Sequence, residues 1–69
     1  MSAWHVYLCD RDGRLYTGMT TDLPHRMRQH RAKLLWSEQQ PDSHSAARRE
    51  KEIKGWRREK KLALIEQSR

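Results

Sequence analysis

Phenylalanine is absent from these 69 residues, cysteine occurs once and proline twice. The lone Cys9 excludes an internal disulfide framework and fits a reducing compartment. No apolar stretch approaches the length of a signal-peptide core or a membrane span, so no membrane partner and a cytoplasmic location are the expectations. With three glycines and no Pro, Gly or Ser tract, the chain offers no linker, and it contains no internal repeat. These absences leave one small domain over residues 1–69, close to the lower size at which an apolar core holds a fold without disulfides or metal. Its candidate members are Trp4, Val6, Leu8, Leu15, Leu23, Met27, Leu34, Trp36, Ala46, Ile53, Trp56, Leu62 and Ile65.

Charge of one sign is also scarce. Nine Asp/Glu face fifteen Lys/Arg, a formal net charge of +6 at pH 7, with a pI near 10.1. Residues 1–42 hold six basic against five acidic side chains and residues 43–69 nine against four, an excess of +1 and +5. A polyanionic partner fits this balance, and the excess lies mainly in the C-terminal helices. A basic helix face is by itself usually only a solvated one.

The most informative positive feature is a hairpin carrying two tyrosines. Trp4–Cys9 alternates as a strand, Arg14–Gly18 follows, and Asp12-Gly13 marks a tight turn. A four-residue loop from Asp10 to Gly13 sets Tyr7 opposite Tyr16; a turn of Asp12-Gly13 alone makes them diagonal neighbours. Either register keeps both phenols on one face, roughly 5–8 Å apart at Cβ. Such a pair on its own is more often packing than chemistry.

Asp22 is the best N-cap for a helix over Leu23–Ala32, with Pro24 in its first turn. Leu23 and Met27 mark the buried stripe of that helix, and Arg26 and His30, four apart, project side by side. Lys33–Glu38 reads as a third strand. Asp42 or Ser43 caps a second helix through Lys54, with Gly55 as its stop signal. A last helix from Trp56 or Arg57 to Glu66 turns Leu62, Ala63 and Ile65 inward. The expected fold is therefore α+β, a small three-stranded antiparallel sheet flanked by about three helices.

Glu50 lies on the apolar face defined by Ala46, Ala47 and Ile53. Glutamates are rarely buried unless paired or bound to a cation. Glu50 is thus a boundary residue paired with Arg26, an exposed residue at the end of the stripe, or an inward carboxylate suited to a hard divalent metal. Two phenols, an Arg/His pair and an inward carboxylate are parts that phosphodiester cleavage needs. Tyr7 or a metal-bound hydroxide could supply the base, and Arg26 the phosphate clamp.

In order and spacing these residues resemble the GIY-YIG nuclease superfamily, specifically its small single-domain bacterial type. The matching strings are His5-Val6-Tyr7, Leu15-Tyr16-Thr17-Gly18-Met19-Thr20, Asp22-Leu23 through Arg26 and His30, Ala47–Trp56 and Lys60–Ile65. The resemblance implies a site on the sheet that cuts DNA with one Mg²⁺ or Mn²⁺ ion. It gives Tyr7 the deprotonation of the attacking water, Tyr16 the ordering of water or phosphate, and Arg26 the neutralisation of phosphate. His30 would assist in proton transfer or phosphate contact, Glu50 would be the sole protein metal ligand, and Gly18 would leave space beside the site.

The chain departs from the family pattern in three ways. His5 stands where the family usually has Gly. Only Arg31 and Ala32 separate His30 from Lys33, where the family carries a longer loop rich in Gly, Lys, Arg and Tyr. No DNA-targeting segment follows in this sequence.

The expectation is accordingly a metal-dependent endonuclease of weak or structure-directed specificity, serving DNA repair or recombination, with RNA as another substrate. The chain would be a monomer or weak dimer. The rival is a non-catalytic nucleic-acid-binding module that sets Arg48, Arg49, Lys51, Lys54, Arg57, Arg58, Lys60 and Lys61 against phosphates. A protein-interaction domain on the same scaffold is the third reading. His5, His25 and His44 show no metal-ligand spacing, and Cys9 has no evident base partner.

Overall fold

A computed structural model describes residues 3–68. Three strands, β1 (Trp4–Arg11), β2 (Arg14–Thr20) and β3 (Lys33–Gln40), and three helices, α1 (Leu23–His30), α2 (Ser43–Lys54) and α3 (Arg58–Gln67), follow in the order β1-β2-α1-β3-α2-α3. The sheet is antiparallel with order β2-β1-β3, which puts β1 at its centre. The α+β architecture expected from the sequence is the one observed.

The hairpin uses the shorter turn. Arg11 pairs with Arg14, so Asp12 and Gly13 alone connect the strands. Both have positive φ, 53° and 81°, as a type I′ turn requires, and the Gly13 amide donates to Asp10 Oδ1 at 2.9 Å. The four-residue loop is therefore excluded: Tyr7 faces Gly18 and Cys9 faces Tyr16. Both strands also run past their expected ends, because the short turn leaves Asp10 and Arg11 free to pair.

The helix boundaries follow from their caps. Asp22 Oδ1 accepts from the His25 amide at 3.1 Å and Asp42 Oδ1 from the Ser45 amide at 2.7 Å, each satisfying a donor the helix cannot. α1 ends at His30, two residues early, because Arg31 turns left-handed at φ 52°, ψ 41°. Gly55 closes α2 in a right-handed conformation, φ −78°. Its value as a stop signal therefore does not come from glycine's access to positive φ.

Val6, Leu8, Trp36, Ala46, Ile53 and Ile65 form the core. α2 packs across all three strands and α3 against β3. Val6, Leu8 and Ile53 are fully buried, each contributing roughly 1.5–3 kcal/mol of transfer free energy. α1 buries no residue completely; Leu23 and Met27 are half-buried, a shallower stripe than expected.

Three core expectations are corrected. Leu34 is 39% exposed because a bulge between Leu8 and Cys9 makes Leu35 the extra residue of β3 and sets Leu34 opposite Cys9. Leu35 packs against the core in its place. Leu62 is 41% exposed and Ala63 is exposed. Ile65 belongs to two overlapping helical stripes, and α3 turns inward the one that carries Leu64 and the stem of Lys61.

Candidate functional site

Tyr7 occupies the middle of the central strand, 7% exposed, and its position depends on the residue across the ladder. A Cβ at Gly18 would fall onto the hydroxyl and ring edge of Tyr7. The bare glycine thus lets the phenol lie across β2. Tyr16, two ladder positions away opposite Cys9 and so on the same face, is 44% exposed. The two phenols share a cavity of about 100 Å³ with Cys9, Arg11, Thr17 and His30.

α1 supplies the adjoining wall. Arg26 Nη1 lies 3.5 Å from His30 Nε2, so the four-residue spacing does place them side by side. α2 supplies the carboxylate. Glu50 sits between Ala46 and Ile53 with its side chain 22% exposed, 3.7 Å from Lys54 Nζ one turn further on. The alternative pairing with Arg26 is not made.

These groups meet electrostatically at Tyr7. Burial, first, pushes its phenol above the ordinary value; the Cys9 thiolate adds to the rise, the Arg26 guanidinium opposes it, and the Glu50 carboxylate adds again. Burial likewise raises the Cys9 thiol, reinforced by Asp10 and opposed by Arg11. A raised thiol is a poor nucleophile, so Cys9 contributes packing. The Tyr7 phenol stays neutral at pH 7 and presents a hydroxyl able to donate or accept a hydrogen bond.

Among the described residues no group of three or more His, Cys, Asp or Glu side chains could hold a metal ion. A lone carboxylate such as Glu50 does not suit zinc, which takes three or four protein ligands. It does suit Mg²⁺ or Mn²⁺, since Mg²⁺ keeps several waters and binds through one or two carboxylates plus substrate phosphate. Glu50 is the carboxylate that would hold it.

The eight C-terminal cations do not form one free surface. Arg49 binds Glu38 at 3.0 Å and Glu52 at 2.7 Å. Its guanidinium carbon and Lys60 Nζ lie 5.4 Å and 4.3 Å from the Trp56 ring centroid. Lys54 is engaged with Glu50. Arg48, Lys51, Arg57, Arg58 and Lys61 make no ion pair among the described residues.

Two features escaped the sequence. Arg11 and Arg14 face each other across the last rung of the hairpin, a pairing visible only once the turn length is known. Thr17 Oγ1 is buried without a hydrogen-bond partner among the described residues; no local sequence signal marks it.

Over 30 residues the chain is 60% identical to a UPF0213 protein of Klebsiella pneumoniae subsp. pneumoniae. The shared segment is 42% of this chain and 28% of that relative's length. No family profile matches the chain and no solved structure matches it. No helix among the described residues is long and apolar enough to cross a membrane.

Proposed function

We propose that the chain is a metal-dependent endonuclease that hydrolyses DNA phosphodiester bonds, the activity implied by its resemblance to GIY-YIG nucleases. One observation carries this reading: the buried Tyr7 phenol at the centre of the sheet shares a cavity with Tyr16 and His30, and His30 contacts Arg26 on α1. The charges of Arg26 and of Glu50 on α2 bear on the titration of the same phenol. Structural ion pairs also perturb titration, but Tyr7 also lines that cavity with a second phenol and with the histidine that Arg26 contacts.

In hydrolysis a water oxygen forms the new bond to phosphorus, the bond to the leaving oxygen breaks, and the proton lost by the water ends on the leaving group. Tyr7 orders the water and takes its proton as it passes its own phenolic proton on, to His30 across the cavity or to solvent. Arg26 offsets charge on the phosphate oxygens, and His30, in contact with Arg26, relays a proton or holds the same phosphate. Tyr16, at the open mouth of the cavity, positions the incoming group. A divalent cation on Glu50 would stabilise the leaving oxygen and cancel the carboxylate's hold on the Tyr7 proton.

The non-catalytic binding module is the weaker reading, because Arg49, Lys54 and Lys60 are already engaged within the protein. Supercoiled plasmid with Mg²⁺ or Mn²⁺ separates the two. Nicking that is lost in Glu50→Ala and falls at least tenfold in Tyr7→Phe is expected; a gel shift with no nicking, unchanged by Glu50→Ala, would overturn the enzyme reading.

A further inference from the structure

We propose that the turn end of the β1–β2 hairpin is a second anion subsite, in which Arg11 and Arg14 grip a phosphate of the same nucleic-acid strand that presents its scissile phosphate at Tyr7, Arg26 and Glu50. The proposal takes the identity of the strand from the phosphodiesterase reading. The observations behind the subsite itself lie outside the Tyr7, Arg26 and Glu50 cluster.

Arg11 and Arg14 are direct cross-strand partners on the last rung before the turn. Like charges so placed repel and destabilise a hairpin, and no ion pair among the described residues relieves them. Neither guanidinium has a carboxylate partner among the described residues. Asp10, next to Arg11 in sequence, accepts from the Gly13 amide through Oδ1. The two arginines instead line, with Asp12 and Tyr16, an open depression of about 440 Å³.

That depression adjoins the candidate site. Arg11 and Tyr16 line both it and the cavity that holds Tyr7 and His30. Arg14 lies four residues along β2 from Gly18, the partner of Tyr7, roughly 14 Å at the rise of an antiparallel strand. Reach of the arginine side chains shortens that gap to a neighbouring phosphate of one strand. The Arg11 guanidinium rests 6.0 Å from the Tyr16 ring centroid, at the outer limit of a cation–π contact, which leaves its planar fork available for phosphate oxygens.

Nucleic acid fits this surface better than an acidic peptide does. Paired guanidinium forks match phosphate oxygens bidentately, and the exposed ring of Tyr16 offers a face on which a base can stack. Asp12 on the rim sets the limit to affinity.

The test is fluorescence anisotropy of a labelled single-stranded oligodeoxynucleotide in EDTA over a salt series, so that binding is read without cleavage. Arg11→Ala/Arg14→Ala should bind about tenfold more weakly at low salt, with a log Kd against log salt slope shallower by about one unit. Arg14→Lys should retain part of the affinity and Asp12→Asn should tighten it. Arg28→Ala, the loss of one charge on α1, should leave Kd within about twofold because the effect is local, whereas Arg11→Ala and Arg14→Ala, each also the loss of one charge, should weaken binding more. Melting of the double variant should be unchanged or higher, since a repulsion is removed.

No binding by the wild-type chain, or a double variant indistinguishable from Arg28→Ala, overturns the subsite. Competition by polyglutamate as effective as by DNA of equal charge overturns nucleic acid as its occupant. Binding that depends on both arginines in a chain that never nicks plasmid supports the subsite and defeats the phosphodiesterase reading alone.

Discussion

Replacing Gly18 by alanine tests whether the packing of Tyr7 across β2 is as tight as the structure makes it. A Cβ there would meet the hydroxyl, Cζ and Cε2 of Tyr7, so the ring, buried at the sheet centre, must tilt or the strands must part. Overpacking of this kind costs about 1–3 kcal/mol. Alanine in place of glycine returns about 0.4–1 kcal/mol through the unfolded chain where the backbone is compatible. The net loss lies between about zero and about 2.6 kcal/mol, at most roughly 20 °C in Tm for a domain of this size. Urea and thermal unfolding of wild type, Gly18→Ala, Tyr7→Ala and the double variant form the assay. Without the phenol the Gly18→Ala change should become neutral or stabilising, giving a coupling energy of about 1–3 kcal/mol. Additive effects in the double variant, with no coupling between Gly18→Ala and Tyr7→Ala, would refute the reasoning.

Other consequences can be measured directly. Glu50→Gln in a Tyr16→Phe background should lower the pKa of the Tyr7 phenol, read by ultraviolet titration, because one of the charges that raises it is removed. Tyr7 and Cys9 hold their protons more tightly folded than unfolded, above 10.0 and 9.0 respectively. Their contribution to stability is complete below the unfolded values and is lost as pH rises through the folded ones. Urea midpoints should therefore fall in alkaline buffer, with a flatter profile for Tyr7→Phe/Cys9→Ala. Asp42 acts in the opposite sense: the Ser45 amide lowers its carboxyl, so its contribution is present above 3.8 and disappears as acid protonates it. Ile53→Ala, at a fully buried position, should cost about 2–5 kcal/mol by chemical denaturation.

Local chemistry made much of the fold legible. Asp12-Gly13 marked the turn, Asp22 and Asp42 marked the helix starts, and strand and helix periods separated the elements, because each of these signals acts within a few residues. What failed to show was set across the sheet. Turn length decided that Tyr7 faces Gly18, and both possible registers had put the same residues on one face. The bulge at Leu8/Cys9 exposed Leu34, and nothing in Lys33-Leu34-Leu35-Trp36 says which leucine is the extra one. The inward stripe of α3 was chosen by β3 from two that the helix offers equally.

The candidate site divides in the same way. Arg26 beside His30, and Glu50 on the apolar face of α2, follow from helical spacing. The Lys54 contact with Glu50 is an ordinary four-residue pair open to the same reasoning. The raised Tyr7 phenol depends on burial and on charges from three elements, which only tertiary packing brings together. The sequence does not single out Arg11 and Arg14, because its charge excess points to the C-terminal helices, whereas cross-strand pairing concentrates these two at the hairpin end.

The central claim is that Glu50 serves Tyr7 in phosphodiester hydrolysis, and it is tested most directly by the initial nicking rate of supercoiled DNA at saturating Mg²⁺ for wild type and Glu50→Ala of matched Tm. The account predicts nicking by wild type that EDTA abolishes and a loss of at least about a hundredfold in the variant, the scale on which a lost electrostatic partner at a reaction centre acts. Equal rates in the two proteins, or nicking by wild type that persists in EDTA, would contradict it.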